Sequence, residues 1–295
     1  MKKSIIILSI ATLLMTSCDK ENTSHIAIHN PDEIRISASM GGTRVTGVAF
    51  DEGDTFGLFA VEYNGDVVAE LQPTGNYLTN EAVTFDGAEW HSARTLYWSE
   101  NPCDFYAIYP YSDIRSMKDV LFEIATDQST PRTEETLGGY ELSDIMWAKS
   151  DGVTREDGTV ELAFEHLMSR VVVNIERGPS YEGELPENID VHIYNTATTA
   201  LVNWTIGSLE KYINSPTKTI KMRRVDADSF DAIVVPQFIE RTTPLVEVTM
   251  EGIAYLLEYE MSFRPGCQHT ITITLNTSPD QEKIEINIDG DVGNW

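Results

Sequence analysis

The chain has 295 residues, with 47 Asp and Glu against 21 Lys and Arg, for a formal charge of −26. A polyanion of that strength repels nucleic acid and anionic headgroups, so nucleic acid is excluded as a partner. Apolar residues make up 41%, enough for a packed core, and the length suits about two domains as a first expectation.

In chain order, Lys2 and Lys3, the apolar run from Ile5 to Leu14, and the small residues Thr16 and Ser17 compose a secretory signal over residues 1–17. Its apolar part is too short to span ~30 Å of hydrocarbon. Cys18 follows directly and resembles the cysteine of a bacterial lipobox, in which the thiol is acylated and becomes the mature N-terminus; Met15 stands where Leu is usual. Cleavage takes away Lys2 and Lys3 and leaves a mature charge of −28. Anchoring calls for more than one acyl chain, because one alone attaches reversibly. Residues 18–32 are polar and unperiodic and read as the lipidated tether. His25 and His29 fall four apart but lack helical context and a third ligand, so they read as solvated tether residues.

Beyond the tether the dominant signal is period two, which puts alternate side chains on opposite faces of a strand. Phe56, Leu58 and Ala60, then Phe105, Ala107 and Tyr109, predict strands in the first half. Val171, Val173 and Ile175, Val191 and Ile193, and Val246, Val248 and Met250 predict further strands in the second. The pattern is clearest in Ile271, Ile273 and Leu275, alternating with threonines, and in Ile284, Ile286 and Ile288, alternating with Glu285, Asn287 and Asp289. Turns are expected at Tyr63-Asn64-Gly65-Asp66, Asp151-Gly152 and Asp157-Gly158. Many short strands predict an all-β chain of antiparallel sandwiches. The polar stretch Lys149 to Asp157 marks the expected division into an N-terminal sandwich, 33–153, and a C-terminal one, 154–295.

No catalytic constellation stands out. GxSxG, HExxH, a P-loop and GxGxxG are all absent from the sequence. The acidic groups Asp51-Glu52-Gly53-Asp54, Asp226-Ala227-Asp228 with Asp231, and Asp289-Gly290-Asp291 lack EF-hand spacing and read as solvated turns. Cys103 and Cys267, far apart and outside any CxxC or Cys/His cluster, read as free or buried thiols, with neither a disulfide nor a zinc site expected. Trp90, Tyr97, Trp98, Phe105, Tyr106, Tyr109 and Tyr111 crowd one stretch; core packing is the first reading and a carbohydrate platform the second. His166 reads as a hydrogen-bonded structural imidazole. No catalytic residue, metal ligand or cofactor is assigned.

A series of segments carries a family resemblance: Arg44 with Phe50-Asp51-Glu52-Gly53-Asp54-Thr55-Phe56-Gly57-Leu58-Phe59, Asp104-Phe105-Tyr106-Ala107-Ile108-Tyr109-Pro110-Tyr111, and Thr126-Asp127-Gln128-Ser129. Ser143-Asp144-Ile145-Met146-Trp147-Ala148, the stretch Leu162 to Val171, Val234-Val235-Pro236-Gln237, Phe263-Arg264-Pro265-Gly266 and Trp295 continue it. In their order and spacing these segments make the chain similar to the fimbrillin-like lipoproteins of Bacteroidales, over most of its mature length.

That resemblance implies two tandem transthyretin-like sandwiches assembled by strand donation. A protease cuts after an arginine near the start of the first domain, Arg44 by preference and Arg35 second; a first strand leaves, and a neighbour's strand fills the slot. The donor strand implied here is the run carrying Ile284, Ile286 and Ile288, and the chain stops soon after it, at Trp295, which leaves tip, anchor and terminating roles open beside a stalk role. The expected function is a non-enzymatic subunit of fimbriae, lipid-anchored at the outer membrane and exposed on the cell surface, with adhesion as its output. Asp19-Lys20-Glu21 resemble the acidic signals that send such lipoproteins outward. The expected partners are other fimbrial subunits and a host or bacterial surface protein or glycan. A glycan-binding surface lipoprotein using exposed aromatics is the alternative, and a glycosidase with a carboxylate pair meeting only in space is a third reading.

Overall fold

The computed structural model describes residues 30–41, 49–276 and 286–295. The signal, Cys18, His25, His29, Arg44 and Ile284 lie outside the described residues. Residues 31–295 pack as one compact unit, all-β apart from the five-residue helix Gly139–Ser143 and one 3-10 turn among the described residues.

The first half supplies β1 (Arg35–Met40), β2 (Thr55–Asn64), β3 (Val67–Val68), β4 (Leu78–Phe85), β5 (Trp90–Ser92), β6 (Cys103–Tyr109), β7 (Val120–Glu123), β8 (Met146–Val153) and β9 (Thr159–His166). Seven of them form a sheet in the order β1-β9-β8-β6-β2-β4-β5, with β3 hairpinned onto β2 through the expected Asn64-Gly65 turn. Gly65 has φ of +64° there, which a β-branched residue does not tolerate. Asp157-Gly158 turns the chain between β8 and β9 within this sheet. Asp151-Gly152, by contrast, is absorbed into β8 as an irregularity: Gly152 has φ of +59° and the pairing with β6 shifts register there.

The chain changes sheet at Leu167 and Met168. Beyond them come β10 (Ser169–Arg177), β11 (Ile189–Ala197), β12 (Thr199–Asn203), β13 (Ser208–Lys211), β14 (Thr217–Lys221), β15 (Arg223–Arg224) and β16 (Ser229–Val234). They are followed by β17 (Phe238–Ile239), β18 (Pro244–Met250), β19 (Ile253–Glu258), β20 (Met261–Ser262), β21 (Cys267–Leu275) and β22 (Ile286–Asn294). A five-stranded sheet, β15-β16-β10-β21-β22, and a four-stranded one, β14-β11-β18-β19, bury one apolar face each. Val171, Val173, Ile175, Ile271, Ile273 and Leu275 on the first pack into one core with Val191, Ile193, Val246, Val248 and Met250 on the second. All of them are buried, and each fully buried aliphatic side chain of this kind stabilises the fold by about 1.5–3 kcal/mol.

Two cores run through the unit. One face of the first sheet (Phe56, Leu58, Phe105, Ala107, Val160, Leu162, Phe164) makes its own cluster. Phe59, Val61, Tyr106 and Ile108, from the opposite face of β2 and β6, join the cluster of the second half. That is why β6 is buried at every position. The halves are also sewn together by pairing: β7 from the first half is an edge of the β13-β12-β7 sheet, and Gln128 N donates to Lys221 O at 3.0 Å. Trp147 on β8 donates its indole N–H to Trp204 O at 2.8 Å. Its ring lies so close to Gly207 (φ +60°) that a Cβ there would sit 2.3 Å from it.

Candidate functional site at the first edge strand

Ile34, just before β1, and Ile36, Ala38 and Met40 within it alternate with Arg35, Ser37 and Ser39. The even-numbered set turns inward and packs, partly buried, on the first-sheet core. β1 runs parallel to β9, its only ladder partner among the described residues, with Ile36 opposite Val160, Ala38 opposite Leu162 and Met40 opposite Phe164. Those three β9 residues are at most 1% exposed, so β1 and its neighbours form the lid over them. At its start the strand is also tied to the other side: Ile34 N donates to Leu96 O at 2.9 Å, Trp98 N to Asp32 O at 3.0 Å, and Asp32 pairs with Arg155.

Arg35 lies inside this ladder, and its Nε donates to Gly158 O at 3.0 Å, so its peptide is engaged as long as β1 stays paired. At the other end Gly41 N donates to Phe164 O, the last bond before the segment holding Arg44. The inward alternation was readable as Ile34-x-Ile36-x-Ala38-x-Met40, a signal present in the sequence that the strand assignments above do not include. Parallel pairing with β9, some 124 residues on in the register Arg35 to Thr159, is something periodicity cannot supply.

Of the expected donor run Ile284 to Ile288, Ile284 lies outside the described residues, and Ile286 and Ile288 fall at the start of β22, which spans Ile286–Asn294 and pairs antiparallel with β21 from Leu275↔Ile286 to Cys267↔Asn294. It is an edge strand of its sheet. Ile288 is partly buried on the second-half core; Asp289 and Asp291 are exposed.

A cavity of about 160 Å³ is lined by charged groups from both halves, with Met40 of β1 and Trp295, which follows β22, among its walls. The acidic clusters are not uniformly solvated turns. Asp54 is 5% exposed, pairs with Arg132 and accepts from Tyr109 Oη at 3.1 Å. Burial, then the neighbouring Asp54 charge, pushes the Tyr109 hydroxyl well up from its ordinary pKa. Asp231 is wholly buried between Arg170 (2.9 Å) and Arg223 (3.0 Å), and the Arg223 guanidinium lies 3.7 Å over the Tyr140 ring. A buried carboxylate persists only when paired, and here the arginines that pair it come from β10 and β15, a meeting no local pattern reveals.

His166 behaves as a structural imidazole: Nδ1 is 2.9 Å from Asp144 Oδ1, and the ring stacks on Trp295 with centroids 3.7 Å apart and planes 14° from parallel. Of the crowded aromatics, Phe105, Tyr106 and Tyr109 are buried, and Trp90 is wedged against Phe50, Phe56 and Phe85. Tyr97 and Tyr111 are half exposed. Cys103 and Cys267 are free thiols. Among the described residues no three His, Cys, Asp or Glu side chains converge as metal ligands, and no helix is long and apolar enough to cross a membrane.

The family model for fimbrillin-like proteins matches residues 43–295. The chain belongs to the fimbrillin-like family. It is therefore a structural, non-enzymatic protein of the fimbrial class, which sets the glycosidase reading aside. Two solved structures share the fold. A candidate cell adhesion protein from Bacteroides uniformis is 22% identical with a TM-score of 0.62, over 83% of this chain and 93% of that one. Another from Bacteroides ovatus is 16% identical with a TM-score of 0.65, over 90% and 98%. No curated protein matches.

The segments that pointed to the fimbrillin-like family hold the interior together. Gln128, wholly buried, pairs its amide with the backbone of Ile233: Ile233 N donates to Oε1 at 2.7 Å and Nε2 donates to Ile233 O at 2.8 Å. Gln237 does the same with Ala197, accepting from its N at 2.9 Å and donating to its O at 3.1 Å. Each side chain stands in for a strand that stops short.

Proposed function

We propose that this fimbrillin-like protein is a cell-surface lipoprotein, acylated at Cys18 and held at the outer membrane, that serves as a structural or accessory subunit of fimbriae. Assembly proceeds by strand donation: cleavage after Arg44 frees β1, and a strand from a neighbouring subunit takes its place along β9. The observation that carries this reading is β1 itself, an edge strand with one ladder partner among the described residues and an alternating apolar face, packed on the core beside β9 and leading into the segment with Arg44. The physical consequence of losing it is an open row of β9 backbone groups beside an apolar slot, a state that another strand relieves by β-augmentation.

Two further points support it. The family match begins at residue 43, so β1 stands outside the shared part while Arg44 stands at its start. The C-terminal run Ile286-x-Ile288-x-Gly290-x-Val292 repeats the apolar, apolar, small, apolar order of Ile34-x-Ile36-x-Ala38-x-Met40, so a second copy carries a strand of the right pattern for the slot. Arg35 is a poor cut site, because its backbone is paired along β9 while a protease needs its substrate backbone unpaired.

The test is digestion of the mature chain with an arginine-specific protease. Release of the fragment ending at Arg44, followed by SDS-resistant ladders and filaments in negative stain, is expected, and Arg44→Ala stays intact and monomeric. A cut chain that keeps its fragment bound and never associates would refute strand exchange. Cys18→Ala is expected to release the protein from the membrane fraction; retention there would refute the acyl anchor.

A further inference from the structure

The two ends of the proposed exchange meet at one spot. His166 closes β9, the strand that holds β1. Its ring, almost fully buried, is gripped by Asp144 on one edge and covered by Trp295 on one face. Trp295 directly follows β22 and is 6% exposed, and its backbone N donates to Gly266 O at 3.2 Å. Gly266 N in turn donates to Met168 O at 2.8 Å, two residues past His166. Trp295 and Met40, the last residue of β1, are walls of the same 160 Å³ cavity.

Elsewhere β22 is held by its backbone ladder with β21, and its described side chains add little. Asp289, Gly290, Asp291 and Val292 are exposed, and Ile288 is partly buried. Gly290 has the Tyr259 ring against it, near enough that a Cβ would meet the hydroxyl at 2.4 Å. A nine-residue edge strand with two aspartates and two glycines contributes little packing of its own. Trp295 is therefore the main side-chain fastener at the far end of β22; it stacks on His166 at the end of β9 and walls one cavity with Met40 of β1.

We propose that Trp295 is a latch coupling the two edge strands: while β1 is seated, Met40 and His166 hold the indole in place and β22 stays on β21, and when β1 departs the seat opens and β22 is freed. This inference rests on the reading that β1 is displaced in assembly, and it adds the regulation of that step: an uncut subunit keeps its own donor strand stowed, and cutting arms both ends together. The coupling is reciprocal, since whatever β1 does for β22 through the shared seat, β22 does for β1.

Reciprocity supplies a test that does not require cutting. In the uncut mature chain, Trp295→Ala is expected to speed amide hydrogen exchange not only in residues 286–294 but also in residues 35–40, by about tenfold, a middling value for linked sites. Met40→Ala is expected to speed exchange in residues 286–294 likewise, and Trp295→Phe, which keeps a ring on His166, to restore most of the protection at both ends. Acceleration confined to β22 in Trp295→Ala overturns the latch, and so does uniform acceleration across β4, β10 and β18, which would report global stability. Failure of arginine-specific cleavage or of assembly would refute strand exchange and leave these exchange results standing, so the two ideas fail separately.

Discussion

Gln128 offers the sharpest stability experiment, because its work is done by one amide, chiefly against one backbone residue. Its side chain is wholly buried and makes two short bonds to Ile233, at 2.7 and 2.8 Å, and a third to Ala125 O at 3.1 Å. Gln128→Met keeps the length and most of the volume, so cavity formation contributes little. What changes is that the N–H and C=O of Ile233, in β16, lose their partners away from water. Each unsatisfied buried group costs ~1–3 kcal/mol, so the pair costs ~2–6, with ~4 kcal/mol as the central value. In a unit of this size that lowers the melting temperature by roughly 8–16 °C, at roughly 2–4 °C per kcal/mol. Urea unfolding followed by tryptophan fluorescence reads the same quantity, with an unchanged m-value showing that the unfolded state is not altered. A loss under ~1 kcal/mol would mean that water or a shifted backbone satisfies Ile233, and the strand-mimic argument would fall.

Two other outcomes follow from buried titratable groups. His269 is wholly buried and accepts from Arg264 N at 3.0 Å through Nε2; burial first, then the Arg264 charge, holds its pKa below the ordinary 6.5. A depressed histidine pKa means the unfolded chain takes up a proton that the folded one refuses, so stability present above pH 6.5 is lost as pH falls below it. The slope reaches at most ~1.4 kcal/mol per pH unit. His269→Gln should flatten that part of the stability curve, and an unchanged slope between pH 5 and 6.5 would contradict it. Cys103 is 2% exposed and burial, then the Glu62 charge, pushes its thiol up to about 11. In a Cys18→Ser chain at pH 8, an aromatic disulfide reagent should therefore titrate Cys267 in the native state and Cys103 only after denaturation. Two reactive thiols in the native protein would refute that assignment.

Much of the strand inventory was legible because a sheet residue advertises its face locally. Ile271-x-Ile273-x-Leu275 and Val171-x-Val173-x-Ile175 alternate in the sequence as they do in burial. β2 and β6 were found too, although buried nearly throughout: they serve two cores at once, and their short apolar runs still carry aromatic and β-branched residues. The pattern broke where one residue's environment comes from a remote segment. Asp231 resembles its solvated neighbours Asp226 and Asp228 until Arg170 and Arg223 close around it, and Asp151-Gly152 resembles a turn until β6 pairs past it.

By itself the sequence determined the all-β class, the segments that mark the fimbrillin-like family, and the absence of any local catalytic motif, because side-chain period, turn chemistry and motif spacing are properties of neighbours along the chain. Only the tertiary structure decided which strand lies at an edge, that β1 runs parallel to β9 beside the first core, that β7 pairs in the second half, that Trp295 stacks on His166, and that Met40 and Trp295 wall one cavity. Those relations join residues far apart along the chain, such as Glu123 with Thr199, 76 positions on, and Arg35 with Thr159, 124 positions on. They are set by how sheets twist, stack and exclude water, and no window of neighbouring residues contains them.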